Sequence, residues 1–264
     1  MQELKKTGTV VLAGAGPGDP ELITLKLQKR LAEADVIITD RLVHPDIIQK
    51  NVRKDAEVIL AGKQGYNDAS ASQAAVTALM VQKALEGKRI LRLKGGDVAF
   101  FSNMLDELYA LKENNIPFEI IPGITAASGA AAYAGFPLTG RDFSRGVRFI
   151  AFNPNSDLGV DRWKELAATT DTLIFYMAVK KVIELSKLLL QYKKDPMTSL
   201  AVIEQATTVH QRIHVTSLED CEDDFSTVSF TSPSLVIVGN VVQLHHQFSW
   251  FSANREGSAF AELR

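Results

Sequence analysis

Apolar and polar positions alternate between two periods along the chain. Short β-branched or aliphatic runs stand at 9–13, 36–39, 58–61, 89–93 and 118–121. Runs of this kind, bounded by Gly, Pro or Asp, predict buried strands. Between them, apolar residues recur at three- and four-residue spacing. That spacing predicts helices over 21–34, on Leu22, Leu25, Leu27 and Leu31, over 72–86, closed by Gly87, and over 102–115, with Ser102 as N-cap. Strand and helix in alternation predict a mainly parallel sheet wrapped by helices.

Beyond Pro122 the texture changes. Residues 124–134 are Ala-rich and predict a tightly packed helix closed by Gly135 and Pro137. Strands are expected at 147–152, 172–176, 199–203, 212–215 and 235–238, and helices near 163–168, 179–191 and 217–220. The reading is α/β in two domains, 1–122 and 123–264, with no Ser/Gly-rich linker and no internal repeat. The stretch 247–264 shows no period and is expected either to be mobile or to cover a partner surface.

Composition narrows the function classes. The 264 residues are 46% hydrophobic and 23% charged, with a formal net charge of −2. That balance disfavours disorder and a protein that lives on phosphate contacts to nucleic acid. A single cysteine, Cys221, excludes an intrachain disulfide and a Cys-based zinc cluster. No apolar run is long enough to span a bilayer and none reads as a signal peptide, so a soluble cytoplasmic protein without bound metal is expected.

Three glycine-bearing motifs follow predicted strands: Gly14-Ala15-Gly16-Pro17-Gly18-Asp19, Lys94-Gly95-Gly96-Asp97 and Pro122-Gly123-Ile124-Thr125-Ala126. Glycines at strand ends let a backbone approach a ligand closely. A dinucleotide fingerprint fits the first motif poorly. Asp19 occupies its last position, where close helix packing wants Gly or Ala, and Pro17 removes an N–H. For the second motif, a plain turn with an Asx bond from Asp97 stands level with a ligand loop.

Together, GAGPGDPELITLK, DRLVHPDI, LRLKGGD, PGITAASGAAAYAGFPLT and FYM resemble the tetrapyrrole methylase family over residues 9–242, and within it the members acting on uroporphyrinogen III. The resemblance implies two α/β domains with S-adenosylmethionine in the cleft between them, a homodimer, and no membrane or nucleic-acid partner. The implied reaction methylates uroporphyrinogen III at C2 and C7 to precorrin-2, for sirohaem and cobalamin, releasing S-adenosylhomocysteine. By motif, Pro17, Gly95, Gly96, Asp97, Phe100, Thr125, Ala126, Met177 and Ala206 are the implied cofactor positions. Asp40 is the implied proton acceptor and Lys63 the implied proton donor. Arg141, Asn103 and Asp106 are the implied substrate-side positions.

The match breaks after Gly96-Asp97. The family continues P-F-I-F-G-R-G-G-E-E, whereas this chain has Val98 to Glu107 as VAFFSNMLDE. Asn103 stands where the family has Arg, and Asp106 where it has the first Glu. Gly140 stands where the family has His. A divergent member acting on another tetrapyrrole, or a non-catalytic binder of S-adenosylmethionine, is the alternative. The five histidines are expected at the surface, His44 in a loop and His245 and His246 on opposite faces of a strand. Cys221, among acidic neighbours, is expected to be unreactive, with 222–224 a solvated loop.

Overall fold

In the computed structural model, which describes residues 7–61, 73–152, 158–253 and 256–260, the first apolar run becomes β1 (Thr9–Gly14). It is joined by β2 (Val36–Thr39), β3 (Glu57–Leu60), β4 (Arg89–Lys94) and β5 (Phe118–Ile121). All pairings are parallel, in the order β3-β2-β4-β1-β5. Parallel neighbours require crossovers, supplied by α1 (Leu25–Glu33), α2 (Pro45–Asn51), α3 (Gln73–Leu85) and α4 (Met104–Glu113). Because side chains alternate along a strand, the sheet buries two layers. Val10, Leu12, Ile38 and Ile90 meet Met80 and Leu111 on one face. Ala13, Ile37, Leu91 and Leu93 meet Leu27 and Leu31 on the other.

Local hydrogen bonding moves two expected helix starts and adds a helix that was not expected. The Asp19 carboxylate accepts from the Glu21 N–H (2.8 Å), which limits Pro20–Leu22 to a single 3-10 turn. The helix expected from 21 therefore begins after Thr24, whose hydroxyl accepts from the Leu27 N–H. Ser102 does not cap α4: its hydroxyl donates back to the Val98 carbonyl, and Asn103 precedes the helix in a left-handed conformation at φ 53°. α2 was not expected. His44 caps it, Nδ1 accepting from the Asp46 N–H at 3.2 Å, and Pro45 opens its first turn. His44 is thus the last loop residue before α2 and serves as its cap.

The second sheet contains β6 (Val147–Ala151), β7 (Thr172–Tyr176), β8 (Ser199–Glu204), β9 (Arg212–Ser217) and β10 (Ser234–Val238) in the order β6-β7-β10-β8-β9. Only β6 and β7 run parallel, and the other three pairings are antiparallel. The mainly parallel arrangement expected for the first half holds there and does not extend to this sheet, where β8 reaches β9 without a crossover helix. Around the sheet lie α5 (Ala126–Ala134), α6 (Val160–Ala168), α7 (Val182–Gln191), α8 (Cys221–Phe225) and α9 (His245–Phe248). The helix expected at 179–191 opens with a 3-10 turn, Val179–Lys181, before α7. Residues 217–220 form no helix. The Ser217 hydroxyl accepts from the Asp220 N–H in a turn, and α8 starts at Cys221. Residues 222–224 lie in that helix rather than in a loop, and burial pushes the Cys221 thiol pKa up. His245 and His246 are helical, so they do not alternate as on a strand.

α5 buries Ala127, Gly129, Ala130, Ala131 and Ala134 against a cluster holding Ile203 and Ile237. Side chains this small let a helix lie close to a sheet. Its last carbonyls lack partners within the helix. Trp250 Nε1 donates to the Ala132 carbonyl (2.8 Å), and His245 Nδ1 lies 2.6 Å from that of Ala134. Gly135 (φ 78°) ends the helix where a Cβ would stand 2.1 Å from the Phe248 carbonyl oxygen. The segment after α9 therefore packs on Tyr133, through Trp250 and Phe251. The chain divides into two units. The described residues through Thr125, rejoined by 259–260, make the first, and Ala126–Ser258 makes the second.

Candidate functional site

The three glycine motifs follow β1, β4 and β5, which are adjacent, and so emerge side by side at the carboxyl ends of the sheet. Their backbones interlock. The Gly16 N–H donates to the Gly96 carbonyl (3.0 Å) and the Gly96 N–H to the Gly16 carbonyl (2.8 Å). A Cβ on Gly14 would stand 2.5 Å from the Gly96 oxygen, and one on Gly123 would stand 2.3 Å from the same atom. Only glycine fits at these crossings. The interlock also weighs against a dinucleotide reading, because two N–H groups that would cradle a pyrophosphate are spent on each other's carbonyls. Pro17 is buried at the turn between them.

The β2–β4 register pairs Thr39 with Leu93, so Asp40 stands level with Lys94 at the same end of the sheet. Asp40 and Lys94 line a cavity of about 300 Å³ with Arg92, Gly95, Phe100 and Asn103 among its walls. Asp40 Oδ1 accepts from the Leu42 N–H at 2.9 Å. Burial raises the Asp40 pKa, opposed by the Arg92 charge, by backbone N–H groups of Leu42 and Gly95, and by Lys94. Behind the cavity, Glu107 of α4 is fully buried. Its Oε1 accepts from Arg92 Nε (3.0 Å) and from Gln73 Nε2 (3.0 Å). Its Oε2 pairs with Lys94 Nζ at 2.9 Å. Burial lowers the Lys94 pKa, with the Arg92 charge acting the same way and Glu107 opposing both.

Around these groups the first unit brings together Asp40, Gly95, Phe100 and Asn103. Asp97 closes an Asx turn onto the Ala99 N–H (3.0 Å) and stays half-buried. Asp106 stands elsewhere, lining an outer groove between α3 and α4. Thr125 is the last residue of the first unit before the chain returns at 259. Lys63 lies outside the described residues. In the second unit, β7 and β8 both run antiparallel to the β10 between them, so Met177 and Ala206 leave the same end of the sheet. The Ala127 N–H donates to Tyr176 Oη (3.3 Å), which brings the start of α5, with Ala126, to that end as well. Met177 is 65% exposed at φ 61°, while Ala206 is buried in the α5 cluster. Arg141 is exposed in the turn closed by Gly140 and Ser144.

The buried set Gln73, Arg92, Lys94 and Glu107 escaped the sequence reading. A signal was present: a central parallel strand is ordinarily apolar on both faces, and Arg92 and Lys94 put two cations on one face of β4. Among the described residues no group of three His, Cys, Asp or Glu could hold a metal, and no helix is long and apolar enough to cross a membrane.

Residues 9–222 match the family model for tetrapyrrole (corrin/porphyrin) methylases. A sirohaem synthase of Pseudomonas paraeruginosa is 42% identical over 252 residues, covering 96% of this chain and 54% of the relative. The chain thus spans about half the length of the curated relatives it matches. A uroporphyrin-III C-methyltransferase from Thermus thermophilus, solved with S-adenosylhomocysteine, superposes with TM-score 0.74 at 31% identity, over 90% of this chain and 100% of that one. A cobalt precorrin-4 methyltransferase superposes with TM-score 0.79 at 27% identity, over 89% and 95% of the two chains. The chain belongs to the tetrapyrrole methylase family, and with it to the methyltransferases.

Proposed function

We propose that this chain transfers methyl groups from S-adenosylmethionine to C2 and C7 of uroporphyrinogen III, giving precorrin-2 for sirohaem or cobalamin. The observation that carries the reading is the convergence of four motif-bearing strand ends, β2, β4, β1 and β5, beside a cavity that holds a half-buried carboxylate. The donor set suits the cofactor. Among Pro17, Gly95, Gly96, Asp97, Phe100, Thr125, Ala126, Met177 and Ala206 there is no cation to repel a sulfonium, and the one charged group, Asp97, is anionic. Phe100 and Met177 offer exposed apolar surface to an adenine or thioether.

The cofactor supplies an electrophilic methyl on sulfur and needs no metal. The residues of the chain position the electron-rich pyrrole carbon and manage the proton that the substrate gives up. Asp40 takes that proton. Its raised pKa brings it closer to the operating pH, where a carboxylate base works best. Lys63 is the proposed donor. Arg141 and Asn103 are the proposed substrate contacts, and Asp106 completes the carried-over set from its place on the outer groove.

The reading includes a homodimer in the cytoplasm, with no nucleic-acid or membrane partner. Sedimentation of a monomer at assay concentration would count against the dimer. The deciding experiment is an anaerobic assay with uroporphyrinogen III and S-adenosylmethionine, following S-adenosylhomocysteine release and tetrapyrrole absorbance. Two equivalents released per tetrapyrrole support the reading. Cofactor binding without methyl transfer favours the divergent binder, in which Asn103 leaves the substrate side without its guanidinium.

A further inference from the structure

We propose that Lys94, anchored by Glu107, is a positioning residue that keeps Asp40 an ionised carboxylate able to take the substrate proton. The inference rests on the reading of Asp40 as proton acceptor. Lys94 and Arg92 lie two residues apart on β4 and face the same side of the sheet. Arg92 donates to Glu107 at 3.0 Å through Nε and to the Ile38 and Leu93 carbonyls at 3.2 and 3.1 Å through Nη1. Lys94 donates to the Ser102 carbonyl and pairs with Glu107, which fixes the ammonium of a residue that lines the cavity. Two cations and one carboxylate leave this buried group one positive charge in excess.

Among the described residues, Asp40 is the only acidic group lining that cavity, and Arg92 and Lys94 are the only basic ones. From the elements packed against them, α4 contributes Glu107 and α3 contributes the neutral Gln73. An ionised Asp40 therefore completes the charge balance of the cluster. A protonated Asp40 would leave an uncompensated cation in a desolvated place, which is costly. The arrangement offsets the burial that otherwise favours the neutral acid. The Ser102 bond adds a mechanical role, since it ties the wall formed by Phe100 to Asn103 to the same ammonium.

The test is the pH profile of kcat/KM for methyl transfer in the wild type, Lys94→Met, Glu107→Gln and Asp40→Asn. The acid limb of that profile reports the base of the free enzyme. In Lys94→Met the limb moves to higher pH, while Arg92, the larger of the two charges opposing the neutral acid, stays in place. In Glu107→Gln it moves to lower pH, because the cluster gains net positive charge. A purely structural role would not move the two variants in opposite directions. An unmoved limb in Lys94→Met, with activity lost evenly across the pH range, overturns the proposal. If Lys94→Met does not fold, the direction of the Glu107→Gln shift decides, and no downward movement overturns it. If Asp40→Asn keeps the wild-type limb, the underlying assignment of Asp40 is what fails.

Discussion

The first unit's candidate site is made largely of backbone, and the second unit's stands on exposed side chains, Met177 and Arg141. In the first, Gly14, Gly16, Gly96 and Gly123 cross within hydrogen-bond or van der Waals distance, and two buried cations share a buried carboxylate behind them. In the second, Met177 projects from the end of β7, and the buried acid among the described residues, Glu204, is held by His214 and the Thr231 N–H rather than by two fixed cations. A site whose shape is the fold has no slack: changing it should cost stability first. A site on an exposed side chain can lose function while the fold stays.

The largest effect should come from Glu107→Ala. It strands Arg92 and Lys94 in the core, and breaking a buried pair from one side costs about 3–5 kcal/mol. Glu204→Ala sharpens the contrast. His214 is partly exposed and can be hydrated once its partner is gone, so a cost of about 1–3 kcal/mol is expected. Urea midpoints of the two variants test the ranking, and equal losses would show that the two buried acids are held equally. Gly123→Ala follows closely. Its Cβ meets backbone on both sides, Gly96 and Gly14, and overpacking against atoms that cannot rotate away reaches about 3 kcal/mol.

A smaller effect concerns acid stability in the first unit, at the opposite end of the sheet from the cavity. Asp35 accepts from the Arg89 N–H (2.8 Å) and guanidinium, and from Arg53 at 2.6 Å. The Arg89 hydrogen bond, set against desolvation, holds its pKa well below the usual carboxylate range. A depressed folded pKa stabilises at pH above the unfolded value of about 3.9 and loses that contribution as pH falls through the folded one. Asp35→Asn should therefore cost about 1–3 kcal/mol near neutrality, and the gap to wild type should close as the pH drops below about 4. Unfolding curves at descending pH that stay parallel would refute it.

What could be read from the residue order follows the same division. Strands at Val36–Thr39, Phe118–Ile121 and Thr172–Tyr176 fall where the apolar runs stop, because β-branched runs bounded by turn residues leave little choice of limits. The glycine motifs announced a shaped backbone, and the structure brings them together at one end of one sheet. Helix starts were harder, since a single side-chain bond such as Asp19 to Glu21, or Ser102 turning back to Val98, outweighs periodicity. The direction of β8 to β10 was hidden because it depends on which strands pair, not on local composition. Glu107 was invisible as a site residue. Its cationic partners lie 13 and 15 positions away on another element, and only the packing of α4 on β4 makes them neighbours.

The smallest change in stability should be Met177→Ala, and it is the most informative for the second unit. The side chain is 65% exposed, so truncation removes little buried surface and should leave stability within about 0.5 kcal/mol. The residue nevertheless holds a positive φ of 61°, a conformation that costs an L-residue and that the neighbouring Ala178 and Tyr176 do not share. On the proposed reading, this exposed apolar side chain contacts the cofactor. Calorimetric titration of Met177→Ala with S-adenosylhomocysteine should show weakened binding, by roughly tenfold for a buried thioether contact of about 1–2 kcal/mol. Met177→Gly would relieve the backbone strain and gain stability while losing the same affinity. If both variants bind as the wild type does, the exposed side chain is no part of the cofactor site, and the second unit's contribution has to be sought at Ala126 and Ala206.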